Sequence, residues 1–247
     1  MDIRKYLDST YLKLASQSGL TEEQTFEEVK KLTNEAIDNQ FYLVMIRPEY
    51  VKKVKEMIHS VNSDVKVGTV IGFHEGNYSI DEKLTEAQKA IEDGVDELDY
   101  VINYEAFKKG DIDLVKQEFI SGTILGLKAS KVVKWIIEIA ALSDEQIKSI
   151  CYYFSTWAQE TFNKDDFGKI FVKSSTGFYQ TEDGKPNGAT FPAIEIMLNY
   201  SKPLPVKAAG GVRTYDEAVK MIEMGVKRIG TSSAKSLSEK GDSKNSY

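Results

Sequence analysis

The sequence is poor in the residues that form disulfide frameworks and metal centres. Its 247 residues include one cysteine and two histidines, His59 and His74. A single cysteine excludes an internal disulfide and is typical of proteins kept in a reducing compartment. Two histidines exclude a zinc site built from three histidine ligands. We therefore expect a metal-free cytoplasmic protein.

Long apolar runs are also missing. No run approaches the roughly 20 residues that cross a bilayer, and the N-terminal stretch MDIRKYLDST lacks the apolar region of a signal peptide. Basic residues do not predominate, because 32 Lys and Arg stand against 38 Asp and Glu, a net charge of −6. This balance disfavours a nucleic-acid-binding surface. The composition predicts neither a membrane nor a nucleic-acid partner.

Apolar residues are nevertheless plentiful, at 41% of the chain, and their spacing alternates between two patterns. Eight short β-branched or aliphatic runs predict strands at residues 6–10, 41–46, 65–73, 95–102, 131–140, 169–173, 204–208 and 227–230. The stretches between them have helical spacing. Four begin with the pairs of a capping box: Thr21 and Gln24, Ser79 and Glu82, Ser143 and Gln146, Thr214 and Glu217.

Repeated strand–helix units form right-handed crossovers and a parallel sheet. Eight units in about 250 residues favour closure over an open, doubly wound sheet. We predict an α/β fold, a single (β/α)8 TIM barrel at residues 1–235, followed by a short, polar, flexible C-terminal tail at residues 236–247.

Reactive groups of such barrels lie at the C-terminal ends of the strands, which selects Asp99, Lys173 and Lys207. A lysine in an apolar strand is costly unless it is paired or neutral. Two lysines on neighbouring strands would lower each other's pKa, as would burial, leaving a neutral amine that attacks carbonyls. Asp99 would balance the remaining charge and transfer protons. The alternative remains open that these lysines are snorkelling surface residues and that Asp99 caps a turn.

Glycines and hydroxyls in the last turns predict an anion site, because bare backbone N–H groups suit phosphate. The alternative is that these glycines only form tight turns. The residues of this predicted anion site are Gly177, Gly210, Gly211, Ser232 and Ser233.

Three further side chains have structural interpretations. His74 is expected to be a solvated loop residue. Glu138, inside an apolar run, is expected to form a structural ion pair, with hydrogen bonding inside the site as the alternative. Cys151 has apolar neighbours at helical spacing and is expected in the core.

These motifs resemble those of the deoxyribose-phosphate aldolase family, class I aldolases that form an imine. The resemblance covers nearly the whole chain. Its most specific parts are FVKSSTG at residues 171–177 and VKAAGGVR at residues 206–213, supported by ELD at residues 97–99 and GTSS at residues 230–233. It implies reversible cleavage of 2-deoxy-D-ribose 5-phosphate to acetaldehyde and D-glyceraldehyde 3-phosphate, with no metal or organic cofactor.

The resemblance also implies roles for individual residues. Lys173 would form the Schiff base, with Asp99 and Lys207 handling protons, and the predicted anion site would hold the substrate phosphate. Some members of the family end in a tyrosine on a flexible arm, which implies a proton relay at Tyr247. The expected partner is a small-molecule sugar phosphate, and a homodimer is expected from barrel relatives.

The sequence departs from the family pattern around the expected pocket rim. Ser9 stands where many members have histidine, His74 lies in an unusual FHEG loop, and the loop at residues 179–188 is long. These departures leave two alternatives open. One is a class I aldolase for another phosphorylated sugar, and the other is a non-catalytic barrel that binds a sugar phosphate.

Overall fold

Eight parallel strands close into a ring in sequence order in a computed structural model, which describes residues 1–239. The strands are β1 Leu7–Tyr11, β2 Leu43–Ile46, β3 Lys66–Ile71, β4 Glu97–Val101, β5 Val132–Ile136, β6 Ile170–Lys173, β7 Val206–Ala209 and β8 Arg228–Thr231. Each strand overlaps one predicted run. The predicted (β/α)8 barrel is therefore confirmed.

Helices connect the strands and form the outer layer. They are α1 Ala15–Ser18, α2 Glu22–Asp38, α3 Val51–Ser60, α4 Ile80–Glu92, α5 Tyr104–Lys108, α6 Ile112–Lys128, α7 Asp144–Thr161, α8 Phe191–Tyr200, α9 Tyr215–Met224 and α10 Ala234–Ser238. All four predicted capping boxes are present, at the starts of α2, α4, α7 and α9. These local signals set where the helices begin because the capping side chains satisfy backbone N–H groups that lack a helical partner.

The core between barrel and helices is closely packed where α6 lies on β5. A Cβ at Gly126 would lie 2.2 Å from a methyl carbon of Val133, so glycine permits this close approach. The Trp135 ring stacks on Tyr100, with ring centroids 4.7 Å apart. Cys151 is fully buried in α7, as predicted, and burial raises the pKa of its thiol.

The C-terminal end of the described chain is helical. The predicted tail boundary at residue 236 falls inside α10, where Leu237 is fully buried. Ala234 and Leu237 of α10 pack in the hydrophobic core. Tyr247 lies outside the described residues. Within residues 1–239, none of the helices combines the length and apolarity that a membrane crossing requires.

A buried ion pair ties two loops to the helical layer. The Lys83 amine donates to Glu118 Oε1 at 2.6 Å and to the carbonyls of Gly76 and Val101 at 2.7 and 2.8 Å. Glu118 Oε2 accepts from the Asn103 N–H at 2.9 Å. Both side chains are almost inaccessible to water. The pair thus anchors the loops that follow β3 and β4.

We predict that Glu118→Gln lowers the free energy of unfolding by about 3 kcal/mol, because it leaves a buried ammonium without its counter-charge. The matched control is Glu105→Gln, which breaks the solvent-exposed pair between Glu105 and Lys108. That control should change the free energy by less than about 0.5 kcal/mol. Urea denaturation measures both, and equal effects would contradict the role given to the buried pair.

Candidate active site

The strand register places charged side chains side by side inside the barrel. Asp99 on β4 is opposite Lys134 on β5, Lys173 on β6 is opposite Lys207 on β7, and Lys207 is opposite Arg228 on β8. Ion pairs join seven buried groups into what we call the charge network. Its members are Asp8, Glu97, Asp99, Lys134, Lys173, Lys207 and Arg228.

Asp99 lies at the centre of the charge network. Its Oδ1 accepts from the Lys134 amine at 2.6 Å, and its Oδ2 accepts from the amines of Lys173 and Lys207, each at 2.9 Å. Burial alone would raise the pKa of Asp99, but the three amines hold it well below its ordinary value. Asp99 is therefore a carboxylate that contacts three amines.

Lys173 has fewer carboxylate contacts than the other bases of the network. Lys134 contacts Glu97 at 2.5 Å as well as Asp99, and Lys207 contacts Asp8 at 2.5 Å as well as Asp99. Likewise, Arg228 contacts both Asp8 and Glu97. Lys173 contacts Asp99 alone and shares that oxygen with Lys207.

The charge network contains four basic groups but only three carboxylates, so one buried positive charge is in excess. The proton is lost most easily from the amine with the weakest counter-charge. Burial and the charge of Lys207 lower the pKa of Lys173 to about 8, although Asp99 opposes the shift. For Lys134, burial is outweighed by the nearby carboxylates, and its pKa is raised. The network thus makes Lys173 the amine best suited to nucleophilic attack.

Lys173, Asp99 and Lys207, which sequence reasoning selected, are brought together in this network. Four other members were missed: Asp8, Glu97, Lys134 and Arg228. The rule that selected Lys173, a charged residue inside an apolar strand, applies equally to Lys134 in VVKWI. Applied to every strand, it would have added Lys134, whereas the polar run LDSTY around Asp8 gives no such signal.

The glycines of the predicted anion site also converge. Gly177, Gly210 and Gly211 have φ values of 83°, 78° and 76°, which favour glycine. A Cβ on Gly210 would lie 3.5 Å from the Cα of Gly177. Ser232 and Ser233 follow β8, which pairs with β7 next to these turns. Two turns with three glycines, and two hydroxyls, therefore lie at one end of the barrel.

The long loop after β6 folds against this site. The Asn187 amide donates to the Gly177 carbonyl at 3.1 Å, and the Ala189 N–H donates to the Gly210 carbonyl at 2.8 Å. Gly188 packs on the backbone of Gly210, where a Cβ would approach to 2.4 Å. The loop thus supports the glycine turns from outside.

His74, Glu138 and Ser9 each have different surroundings in the structure. His74 is partly covered and stacks on Phe178, with ring centroids 5.6 Å apart. Glu138 forms no ion pair within residues 1–239, so that prediction was wrong; its carboxylate accepts hydrogen bonds from Thr176. Ser9 is buried and alternates along β1 with Asp8, which faces the barrel interior. Ser9 therefore faces the helices and not the pocket rim.

Comparison with known families places the chain among aldolases. The family model described as DeoC/LacD family aldolase matches residues 8–148. A deoxyribose-phosphate aldolase of Thermococcus gammatolerans is 42% identical over 94% of this chain and 93% of its own length. Another, from Lactiplantibacillus plantarum, is 37% identical over 96% of this chain and 99% of its own length.

Solved structures give the same result. The aldolase QR15 superposes with a TM-score of 0.79 at 32% identity, covering 97% of this chain and 95% of that one. Deoxyribose phosphate aldolase from Aeropyrum pernix, described as a tetramer, has a TM-score of 0.77 at 28% identity. That match covers 96% of this chain and 89% of that one.

We predict that Lys207→Met raises the pKa of Lys173 above about 8, because it removes a repelling charge and leaves Asp99 Oδ2 to Lys173 alone. Each unit of upward shift lowers the neutral fraction at pH 7 about tenfold. The measurement is the pH dependence of acetylation of Lys173 by acetic anhydride, followed by mass spectrometry. Lys148→Met, on the surface of α7, is the control. An unchanged midpoint in Lys207→Met would exclude this electrostatic role.

Proposed function

The chain belongs to the DeoC/LacD family of aldolases, and on that basis we propose that it reversibly cleaves 2-deoxy-D-ribose 5-phosphate to acetaldehyde and D-glyceraldehyde 3-phosphate. The observation that carries the proposal is the buried Lys173 amine, which shares one oxygen of Asp99 with Lys207. This arrangement favours an amine that loses its proton near neutrality and is surrounded by groups able to exchange protons.

The reaction begins at the open-chain aldehyde of the sugar. The neutral amine of Lys173 attacks the aldehyde carbon, and the resulting carbinolamine loses water to give a protonated imine. Because the burial of Lys173 lowers its pKa to about 8, a usable fraction of neutral amine is present near pH 7. Asp99 and Lys207 transfer the protons that dehydration requires.

The imine then accepts the electrons of the bond that breaks. The C3 hydroxyl loses its proton, the bond between C2 and C3 breaks, and its electron pair forms an enamine. D-Glyceraldehyde 3-phosphate leaves, and C2 gains a proton to become the methyl group of an acetaldehyde imine. Water hydrolyses that imine and restores Lys173. Because the electron pair enters the enamine, no free carbanion forms, and one difficult step is divided into easier ones.

The phosphate would bind at the two turns that contain Gly177, Gly210 and Gly211 and at the two serines that follow β8. Backbone N–H groups attract an anion without the cost of burying a second counter-charge. Holding the phosphate fixes the reacting carbons against Lys173 and so removes part of the entropic barrier.

A related aldolase substrate is the second candidate. The observation that favours it is the loop at residues 179–188, which lies against the predicted anion site through Asn187 and Gly188. A panel of phosphorylated aldoses and ketoses would distinguish the substrates, since only the preferred one should combine low KM with high kcat.

We also propose a cytoplasmic homodimer. The fully buried thiol of Cys151 fits a reducing compartment. Tyr152 of α7 is 59% exposed, which leaves an aromatic ring for a subunit contact. The tetramer described for the Aeropyrum pernix protein is a larger assembly of a similar barrel. Sedimentation analysis would separate the two states.

We predict that borohydride with acetaldehyde adds a two-carbon label to Lys173, because reduction fixes the imine as a secondary amine. Lys173→Ala should lose both the label and turnover. Lys148→Ala, at a partly exposed lysine of α7, should keep both. Peptide mass mapping identifies the labelled residue, and labelling of Lys134 or Lys207 would refute the assignment of the nucleophile.

The predicted anion site is tested by Gly211→Asp and Gly211→Asn. Aspartate and asparagine tolerate the left-handed backbone similarly, so the two variants differ mainly in charge. Gly211→Asp should raise the KM for deoxyribose 5-phosphate at least about tenfold over Gly211→Asn, since it opposes the phosphate with a like charge. With unphosphorylated deoxyribose the two variants should agree within about twofold; equal KM values for the phosphorylated sugar would place the phosphate elsewhere.

A further inference from the structure

The five residues after β6 connect the Lys173 amine to the Gly177 turn. Ser174 is fixed to β7, because its hydroxyl donates to the Ala209 carbonyl and accepts from the Ala209 N–H, both at 2.9 Å. The remaining residues, 175–178, leave the sheet and form the turn of the predicted anion site. The hydrogen bonds of Ser174 do not fix the conformation of these residues, so other contacts must do so.

Glu138 lies beside this turn in an unusual backbone conformation. It follows β5 with φ 55° and ψ 68°, a left-handed conformation that a glutamate rarely adopts. Its neighbours continue the pairing with β6: the Ile137 N–H donates to the Lys173 carbonyl and the Ile139 N–H to the Ser174 carbonyl, each at 3.0 Å. Unfavourable backbone conformations persist where surrounding contacts hold them, and they are concentrated at functional sites.

The Glu138 carboxylate and the Thr176 hydroxyl together hold the turn on both sides of Gly177. Its Oε2 accepts from the Thr176 N–H at 3.1 Å and from the Thr176 hydroxyl. The same hydroxyl accepts from the Phe178 N–H at 3.0 Å. Glu138 is only 1% exposed, and a hydrogen bond from the Ser175 side chain also stabilises its charged carboxylate. A buried carboxylate is costly unless hydrogen bonds satisfy it, so these donors fix the position of the Glu138 side chain.

We propose that Glu138 is a positioning residue for the phosphate end of the substrate: through Thr176 it holds the Gly177 turn at a fixed distance from the Lys173 amine. This inference rests on the function proposed above. Thr176 is part of this arrangement, because its hydroxyl connects the Glu138 carboxylate to the Phe178 N–H.

The positioning of the Gly177 turn by Glu138 should depend on pH, because the Glu138 carboxylate can gain a proton. Burial raises the pKa of Glu138 to about 7, against the opposing effects of its hydrogen bonds from Thr176 and of the Lys173 charge on β6. From α5, the phenol of Tyr104 faces it, and burial together with Glu138 raises the pKa of Tyr104 to about 12. As the pH falls through 7, Glu138 gains a proton and becomes a weaker acceptor. The turn should then loosen.

The test compares Glu138→Gln, Thr176→Val and Thr176→Ser in steady-state kinetics. Glutamine removes the charge and valine removes the hydroxyl, while serine keeps it. We expect the first two variants to raise the KM for deoxyribose 5-phosphate about tenfold, because hydrogen bonds to a charged group are lost. Borohydride trapping of acetaldehyde on Lys173 should stay within about twofold of the unmodified protein, and serine should restore the low KM.

Two further readouts separate positioning from general destabilisation. The double variant Glu138→Gln/Thr176→Val should be no worse than either single variant, because both break one connection. In addition, the unmodified protein should show a rise in KM below about pH 7 that Glu138→Gln lacks. Glu105→Gln, at an exposed carboxylate of α5, should keep the normal KM and its pH dependence.

The outcomes distinguish this inference from the proposed function. If acetaldehyde labels Lys173 but the Glu138→Gln and Thr176→Val variants keep a normal KM, the positioning role is refuted and the aldolase mechanism stands. The positioning role is also refuted if the variants lose borohydride trapping to the same extent as they lose affinity for deoxyribose 5-phosphate. It is refuted as well if the KM increases of the two single variants multiply in the double variant. If the unmodified protein is not labelled at Lys173, the proposed function itself fails.

Discussion

One excess positive charge, buried inside the barrel, underlies the chemistry that we propose for this protein. Four bases and three carboxylates are enclosed together, and each of the other bases contacts two carboxylates whereas Lys173 shares one oxygen of Asp99. Removing a proton from Lys173 neutralises the network. The low pKa of Lys173 thus follows from the excess of positive charge and from the contacts of the whole network. No single neighbouring residue accounts for it.

Closure of the barrel is what makes this arrangement possible. Asp8 on the first strand and Arg228 on the last are 220 residues apart in sequence and form a buried ion pair. A parallel strand also places its inward side chains at fixed heights, so register alone sets Lys173 beside Lys207. Gly126 lets α6 pack closely on β5, and the pair of Lys83 and Glu118 anchors the loops that follow β3 and β4.

Much of the fold could be predicted because its signals are local. Capping pairs such as Thr21 with Gln24 define helix starts, and apolar runs define strands. Asp99, Lys173 and Lys207 could be selected because a charge in a buried strand needs a partner. The full network could not be predicted without the register, which depends on closure between β1 and β8.

Glu138 was misinterpreted because β5 ends at Ile136 and a left-handed turn follows. There the carboxylate meets N–H and hydroxyl donors instead of a cation.

Neutron diffraction from crystals at a pD of about 9.5, above the pKa of about 8 for Lys173, tests the central claim most directly. It locates the deuterons on each nitrogen of the charge network. The account predicts two deuterons on Lys173 and three on Lys134, with Asp99 unprotonated. Three deuterons on Lys173, or a deuteron on Asp99, would contradict it.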